Sequence, residues 1–290
     1  NDAAKRRSGE VQRAMSMKQA ASICLVPQIH GGPFLYEGDP AAGCRRAAEA
    51  GFDAVELHVS SAEELDAPLL RRLLSEHKLS LSGLGTGAGF LAHRLHLASP
   101  DTSIRRRALD YAGAIVDRAG EFGAFAIIGS LKGSIEPGVE RASALGWLHE
   151  GLHALAERAG QHGVPLILEP LNRYESNYIN RLDEGVELIE SMGSPNIRLL
   201  ADLFHMNIEE ACIAAALRSA VRYLGHVHFV DSNRRPAGCG HIDFAQVGCV
   251  LREIGYHGFL AAEALAWPDP DRAARQTVET FRKHVVPKPT

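Results

Sequence analysis

Eight short, apolar, β-rich runs recur along this chain, each separated from the next by a segment with helical character, and that alternation restricts the fold more than any other feature. The runs are "SICLV" (22–26), "DAVEL" (53–57), "LSLSGLG" (79–85), "AFAII" (124–128), "PLILE" (165–169), "IRLLAD" (197–202), "LGHVHFV" (224–230) and "GFLAAE" (258–263). Between the fourth and fifth, Leu145, Leu148, Leu152, Leu155 and Ala159 recur at helical spacing, and Gly160 and Gly163 supply stop signals. Strands that alternate with helices pair in parallel through crossover connections. Eight such units match the α/β (β/α)8 TIM barrel, whose typical length is about 250 residues. A doubly wound open sheet is the fold alternative, although no G-x-G-x-x-G follows the first run as its dinucleotide-binding version requires. "GLGTGAGF" (83–90) follows the third run without a lysine-serine or lysine-threonine after it, and reads as a plain loop at the barrel mouth.

A chain of 290 residues that is 46% hydrophobic has ample material for a packed core. Acidic residues outnumber basic ones by 35 to 31, the pI is near 6.4, and no long basic run occurs, so a nucleic-acid partner is not favoured. Five scattered cysteines without a C-x-x-C pair read as reduced thiols of a cytoplasmic protein, and no thiol site is expected. No apolar stretch approaches the roughly 20 residues that span a bilayer, and the first 21 residues lack the hydrophobic core of a secretory signal. Residues 1–20 read as a mobile or helical extension, and residues 21–290 as a single barrel domain with neither a membrane nor a nucleic-acid partner.

In such a barrel all eight strands point their carboxyl-terminal ends at one face, and catalytic groups sit there. The fifth run ends on Glu169, the sixth on Asp202 and the eighth on Glu263, while the seventh carries His228 near its end. Consecutive strands thus deliver ligand-type side chains to one rim. A single strand-end carboxylate is more often a helix cap or an ion-pair partner. Three unpaired carboxylates, however, would raise each other's pKa values, whereas a divalent cation neutralises them. Oxygen-rich ligation with one imidazole suits Mn2+, Mg2+ or Co2+ better than a structural zinc, which prefers Cys and His. The expected site is therefore one divalent metal on Glu169, Asp202, His228 and Glu263. His226 reads as a core or supporting histidine, and His58 as a hydrogen-bonded loop histidine. His205, three residues past Asp202, lies at the mouth and is expected to touch substrate.

The runs "EPLNRYE" (169–175), "ADLFHMNIEE" (201–210), "GHVHFVDSNR" (225–234) and "GCGHIDF" (238–244), in this order and ending in a strand-eight glutamate, resemble the ketose 3-epimerase family of xylose-isomerase-like barrels, the D-tagatose and D-psicose 3-epimerase group. The match covers nearly everything from the third strand onward. "GTGAGFLAHRLHLASP" (85–100), "FGAFAIIG" (122–129) and "SNRRPAGCGHIDF" (232–244) look closest to the branch that epimerises keto-sugar acids, the 5-keto-L-gluconate epimerases. The resemblance implies that Mn2+ is the usual metal, that Glu169 and Glu263 double as the acid/base pair, and that Glu175, His205 and Arg234 contact the sugar. One departure concerns the loop before the last motif: the family usually has Pro-Gly there, and this chain has Pro236, Ala237 and Gly238.

A hydrogen next to a ketone is acidic only if the enediolate that forms is stabilised, which a bound cation does. Epimerisation then needs a base on one face of that planar species and an acid on the other. Lys132, between Gly129 and Gly133 after the fourth strand, reads as a flexible-loop residue that binds the carboxylate of an acidic substrate; an exposed solvating lysine is the plain alternative, and Arg94 a rival. Aldose–ketose isomerisation of the hydroxypyruvate isomerase kind uses the same chemistry with another proton destination. An endonuclease IV-like phosphodiesterase shares the barrel but needs a three-metal cluster, with His58, His93 and His96 as the added ligands. The expected partner is a small ketose or keto-sugar acid, and the assembly is left open between a homodimer and a homotetramer.

Overall fold

The computed structural model describes residues 17–286. Its strands are β1 (Lys18–Cys24), β2 (Tyr36–Glu37), β3 (Ala54–His58), β4 (Ser80–Gly85), β5 (Phe125–Ile128), β6 (Leu166–Leu168), β7 (Ile197–Asp202), β8 (Leu224–His228) and β9 (Phe259–Ala262). All neighbours pair in parallel, and β9 pairs back onto β1 with Ala20 opposite Ala261, so the sheet closes. That closure excludes the open doubly wound sheet. The two-residue β2 lies outside the ring of eight and pairs only with β1. β1 begins at Lys18, so residues 18–20 are barrel strand, and the extension read from the sequence falls outside the described residues up to position 16.

The strand interiors follow from the two-residue period of a pleated chain. Ala20, Ala54 and Ala261 pack with Phe259 near the amino-terminal end of the barrel, and Phe125, Ile127, Ile167 and Leu200 fill the next level. Two residues further along these strands come the polar positions, Glu56 after Ala54, Glu169 after Ile167, Asp202 after Leu200 and Glu263 after Ala261, with His58 a further two residues past Glu56. The barrel is thus apolar below and ionisable above.

Helices sheathe the ring. Along Arg141–Gln161, Leu148, Leu152, Leu155 and Ala159 are buried as their spacing requires, each leucine stabilising the fold by roughly 1.5–3 kcal/mol. Asp39, Asp66, Asp101, Asp243 and Asp269 each accept an amide hydrogen at the start of a helix, contributing about 1 kcal/mol apiece. "GLGTGAGF" is not a loop: its first residues complete β4, and Gly87–Leu91 form a short helix. Its glycines serve close packing, since a Cβ on Gly85 would lie 2.4 Å from Nδ1 of His58 and one on Gly83 2.5 Å from the Phe125 ring. No helix among the described residues is long and apolar enough to cross a membrane.

Candidate active site

β6 and β9 stop one residue short of Glu169 and Glu263, and the amide of Glu169 still donates to the carbonyl of Ile128 (3.0 Å), so its side chain keeps the strand's inward direction. Glu169, Asp202, His228 and Glu263 are all buried, and each offers one ligand atom within 4.8 Å of the others. Nδ1 of His228 lies 3.0 Å from Oδ2 of Asp202, 3.2 Å from Oε2 of Glu263 and 3.5 Å from Oε1 of Glu169. That Glu169 oxygen is buried with no hydrogen-bond partner. Three carboxylates, one imidazole nitrogen and an orphaned anionic oxygen are a donor set that fits a hard divalent cation. Gly129 makes room for it: a Cβ there would lie 2.4 Å from Oε2 of Glu169.

Asp202 is a helix cap that still has an oxygen to offer the cluster. It is the N-cap of the helix Leu203–Glu209, where Oδ1 accepts from the amides of Phe204 (2.8 Å) and His205 (3.1 Å). Oδ2 is left to face the cluster. The same helical turn carries His205 into the mouth, and its side chain is 4% exposed.

Positive charge balances the carboxylates. Arg234 donates through Nη1 to Oδ2 of Asp202 and through Nη2 to Oε2 of Glu263. It holds this pose from a left-handed backbone, φ +60, pinned by bonds from its amide to the carbonyl of Asp231 (2.9 Å) and from Leu265 to its own carbonyl (2.8 Å). Burial by itself would raise the carboxyl pKa values of Asp202 and Glu263, but Arg234 and the neighbouring histidines outweigh it and hold both below their ordinary values. For His228 burial opposes the charge, and the carboxylates of Glu263 and Glu56, with the bond to Asp202, hold its pKa well above the usual imidazole range. The loop of the displaced proline closes around buried Asp231, which accepts from the amides of Ser232, Gly238 and Ile242, with Gly238 at φ +94.

Behind the cluster, Asn172 sets the proton on His205. Its Nδ2 donates to Nδ1 of His205 (2.7 Å) and to Oε1 of Glu175 (2.9 Å), while its Oδ1 accepts from the amide of Tyr174 (2.9 Å). Nδ1 of His205 is therefore an acceptor, and the proton sits on Nε2, 3.8 Å from Oε1 of Glu169. Glu175 stands at the outer edge, its side chain 47% exposed.

Two expectations need correction. Lys132 is neither exposed nor in a flexible loop. It closes a 3-10 turn, Ser130–Lys132, anchored by the Leu97 amide on the carbonyl of Leu131 (2.9 Å) and by the Tyr178 hydroxyl on its own carbonyl (2.6 Å). The side chain is fully buried and its Nζ has no hydrogen-bond partner among the described residues. Burial pushes the ammonium down to about 7, against the opposing pull of Glu169 and Glu175. Its rival Arg94 is exposed. His58, read as a loop histidine, is the last residue of β3 and points inward, with Nε2 3.6 Å from Oε1 of Glu263 and 3.7 Å from Oε1 of Glu56. His226 is a buried supporting residue, as its register suggested. Neither His93 nor His96 joins a candidate metal-binding group among the described residues, and His96 pairs with Glu136 at 3.2 Å.

Sequence reasoning missed Glu56. It is completely buried inside the barrel and binds both His226 (2.7 Å) and His228 (3.1 Å). The signal was available: a glutamate in the apolar run "DAVEL" is as costly to bury as the one that ends "PLILE".

A closed parallel barrel with a carboxylate-rich cluster able to hold a cation at the carboxyl-terminal ends of its strands defines a class of (β/α)8 fold. The chain belongs to the xylose isomerase-like TIM barrel family, whose model matches residues 44–284. L-ribulose 3-epimerase of Mesorhizobium japonicum is 33% identical over 221 residues, covering 75% of this chain and 73% of the relative. The 3-dehydro-D-guloside 4-epimerase of Escherichia coli K12 is 34% identical over 134 residues, covering 46% of this chain and 51% of its own. The crystal structure of D-psicose 3-epimerase with D-tagatose from Clostridium cellulolyticum H10 matches 93% of this chain and 99% of that one, with a TM-score of 0.77 at 26% identity. By these similarities the chain is an enzyme of the isomerase class, and the resemblance its motifs carry to the ketose 3-epimerase family of xylose-isomerase-like barrels holds.

Proposed function

We propose that this chain is a divalent-metal-dependent epimerase that inverts the carbon next to the ketone of a ketose or, more specifically, a keto-sugar acid resembling 5-keto-L-gluconate. The observation that carries the reading is that Glu169 and Glu263 reach one buried cluster from strands separated by two others, β7 and β8. Glu169, Asp202, His228 and Glu263 would hold the cation, with Mn2+ the preferred ion. When bound, it supplies positive charge beside the substrate carbonyl and so lowers the cost of removing the neighbouring proton. Glu169 and Glu263 flank the substrate, one taking the proton and the other returning one to the opposite face. The Nε2 proton of His205 and the guanidinium of Arg234 donate to substrate oxygens where negative charge develops, and Glu175 accepts from a hydroxyl at the outer edge. The unpaired cysteines of the structure support a cytoplasmic setting.

The test is a panel of neutral ketoses and keto-sugar acids incubated in D2O with Mn2+ and followed by NMR. One epimer should convert to the other with deuterium at the inverted carbon. Aldose formation instead would make the enzyme an aldose–ketose isomerase, and no exchange with any substrate would remove the reading.

Lys132 supports the acidic substrate. A buried ammonium without a partner is expensive, and a substrate carboxylate would satisfy it. Lys132→Met is expected to raise KM for keto-sugar acids by 10-fold or more, on the order of the loss of one charge-assisted contact, and to leave neutral ketoses nearly unchanged. Because it removes a buried amine that has no hydrogen-bond partner among the described residues, the same substitution should raise the melting temperature. Wild-type enzyme that turned over neutral ketoses far better than any keto-acid would sink the role of Lys132 and leave only the general epimerase assignment.

A further inference from the structure

We infer that Glu56 is a positioning residue that fixes which nitrogen of His228 faces the cation, acting from a strand that β1 and β9 separate from that of His228. The inference rests on the metal site proposed above. Glu56 lies in β3 and His228 in β8, and their side chains meet across the barrel interior, where both are essentially inaccessible to solvent. Oε2 of Glu56 is 2.7 Å from Nε2 of His226, and Oε1 is 3.1 Å from Nε2 of His228. A carboxylate only accepts, so each imidazole gives it an Nε2 proton. For His228 this holds a proton on Nε2, so the proton a cation would displace is the one on Nδ1, the nitrogen that faces Asp202, Glu263 and Glu169. Were Nε2 the nitrogen to give up its proton instead, the ring would keep a donor where the site requires a ligand.

The support around Glu56 is also built. The ring of His226 packs against Phe125 with centroids 4.8 Å apart and meets the ring of His228 edge-on at 5.3 Å. His226 thereby occupies the second oxygen of Glu56 and leaves the first on His228. His58, 3.7 Å away, is the further basic group facing this carboxylate. Glu56, His226 and His228 could also be read as a second metal site, since their donor atoms lie close together. The pairing argues otherwise: each glutamate oxygen already sits at hydrogen-bond distance from the one Nε2 it faces, so the atoms that converge there are paired with one another, and only Nδ1 of His226, on the other side of its ring, has no partner among the described residues. A carboxylate bonded to the far nitrogen of a ligating histidine orients the ring and strengthens it as a donor, and losing such a partner lowers metal affinity by roughly 10–100-fold.

The experiment titrates chelator-treated protein with Mn2+ by calorimetry, comparing wild type with Glu56→Gln, and checks by thermal melting that the metal-free variant unfolds cooperatively. A glutamine of the same size presents an amide donor to one of the two histidines, so Mn2+ affinity should fall by roughly 10–100-fold with the stoichiometry unchanged. A second measurement needs no variant: a crystal structure of the Mn2+-loaded wild type should have the ion on Nδ1 of His228 and Nε2 on Glu56. Affinity in Glu56→Gln within about twofold of a wild type that binds Mn2+ would overturn this inference and leave the metal site standing. So would the ion on Nε2, or a second Mn2+ per wild-type chain that disappears in the variant, which would make Glu56 a ligand. A wild type that binds no Mn2+ would instead bring down the metal site itself.

Discussion

Glu169→Gln and Glu263→Gln each lower turnover by at least about 10²-fold when rates are compared at saturating Mn2+, the scale of losing a general acid or base. Glutamine keeps the shape of each side chain and an oxygen to offer, but it cannot take up or return a proton. Both substitutions also weaken metal binding, because each carboxylate contributes an oxygen to the cluster around Nδ1 of His228, and saturation must be shown for each variant separately. The two variants should differ from a simple loss of metal in one respect. With one carboxylate left, the enzyme can still remove and replace the proton on the face that carboxylate addresses. Each variant is therefore expected to exchange the hydrogen of one epimer with D2O while forming little of the other, and the two should favour opposite epimers. Retention of most activity in either, or loss of exchange from both epimers at full metal occupancy, would overturn the two-carboxylate scheme.

Asp202→Asn separates the two duties of one side chain. Asparagine caps a helix as well as aspartate does, so the bonds to the amides of Phe204 and His205 persist and His205 stays in place. What disappears is the negative charge on Oδ2, which faces His228 and Arg234. Mn2+ affinity is expected to fall by 10-fold or more, with the magnitude typical of lost metal-site support, and activity at limiting Mn2+ should fall with it. The metal-free variant should also melt at a lower temperature, since Arg234 and His228 lose an anionic partner in a buried setting. Binding must be read well below that transition. Full metal occupancy with wild-type turnover would remove Asp202 from the site.

The barrel was legible because its signals are local. Eight runs with strand character, helical spacing between them and aspartates at helix starts are each set by neighbours within a few residues. The four proposed ligands were legible for the same reason: in a parallel barrel a strand's end determines which rim its last side chain occupies, so position along the chain translates into position in space. That translation fails for side chains whose partners lie across the barrel. The distance from Glu56 to His228 is set by closure of β9 onto β1, and nothing within either strand announces it. Lys132 shows the same limit from the other direction. Two flanking glycines suggested a mobile, solvated loop, but bonds from Leu97 and Tyr178 fasten the turn and bury the ammonium. The sequence by itself determined the architecture and which side chains reach the rim, because both depend on backbone periodicity. Only the tertiary structure decided which of those side chains are charged, paired or left without a partner, because burial and hydrogen bonding are settled by contacts between residues far apart in the chain.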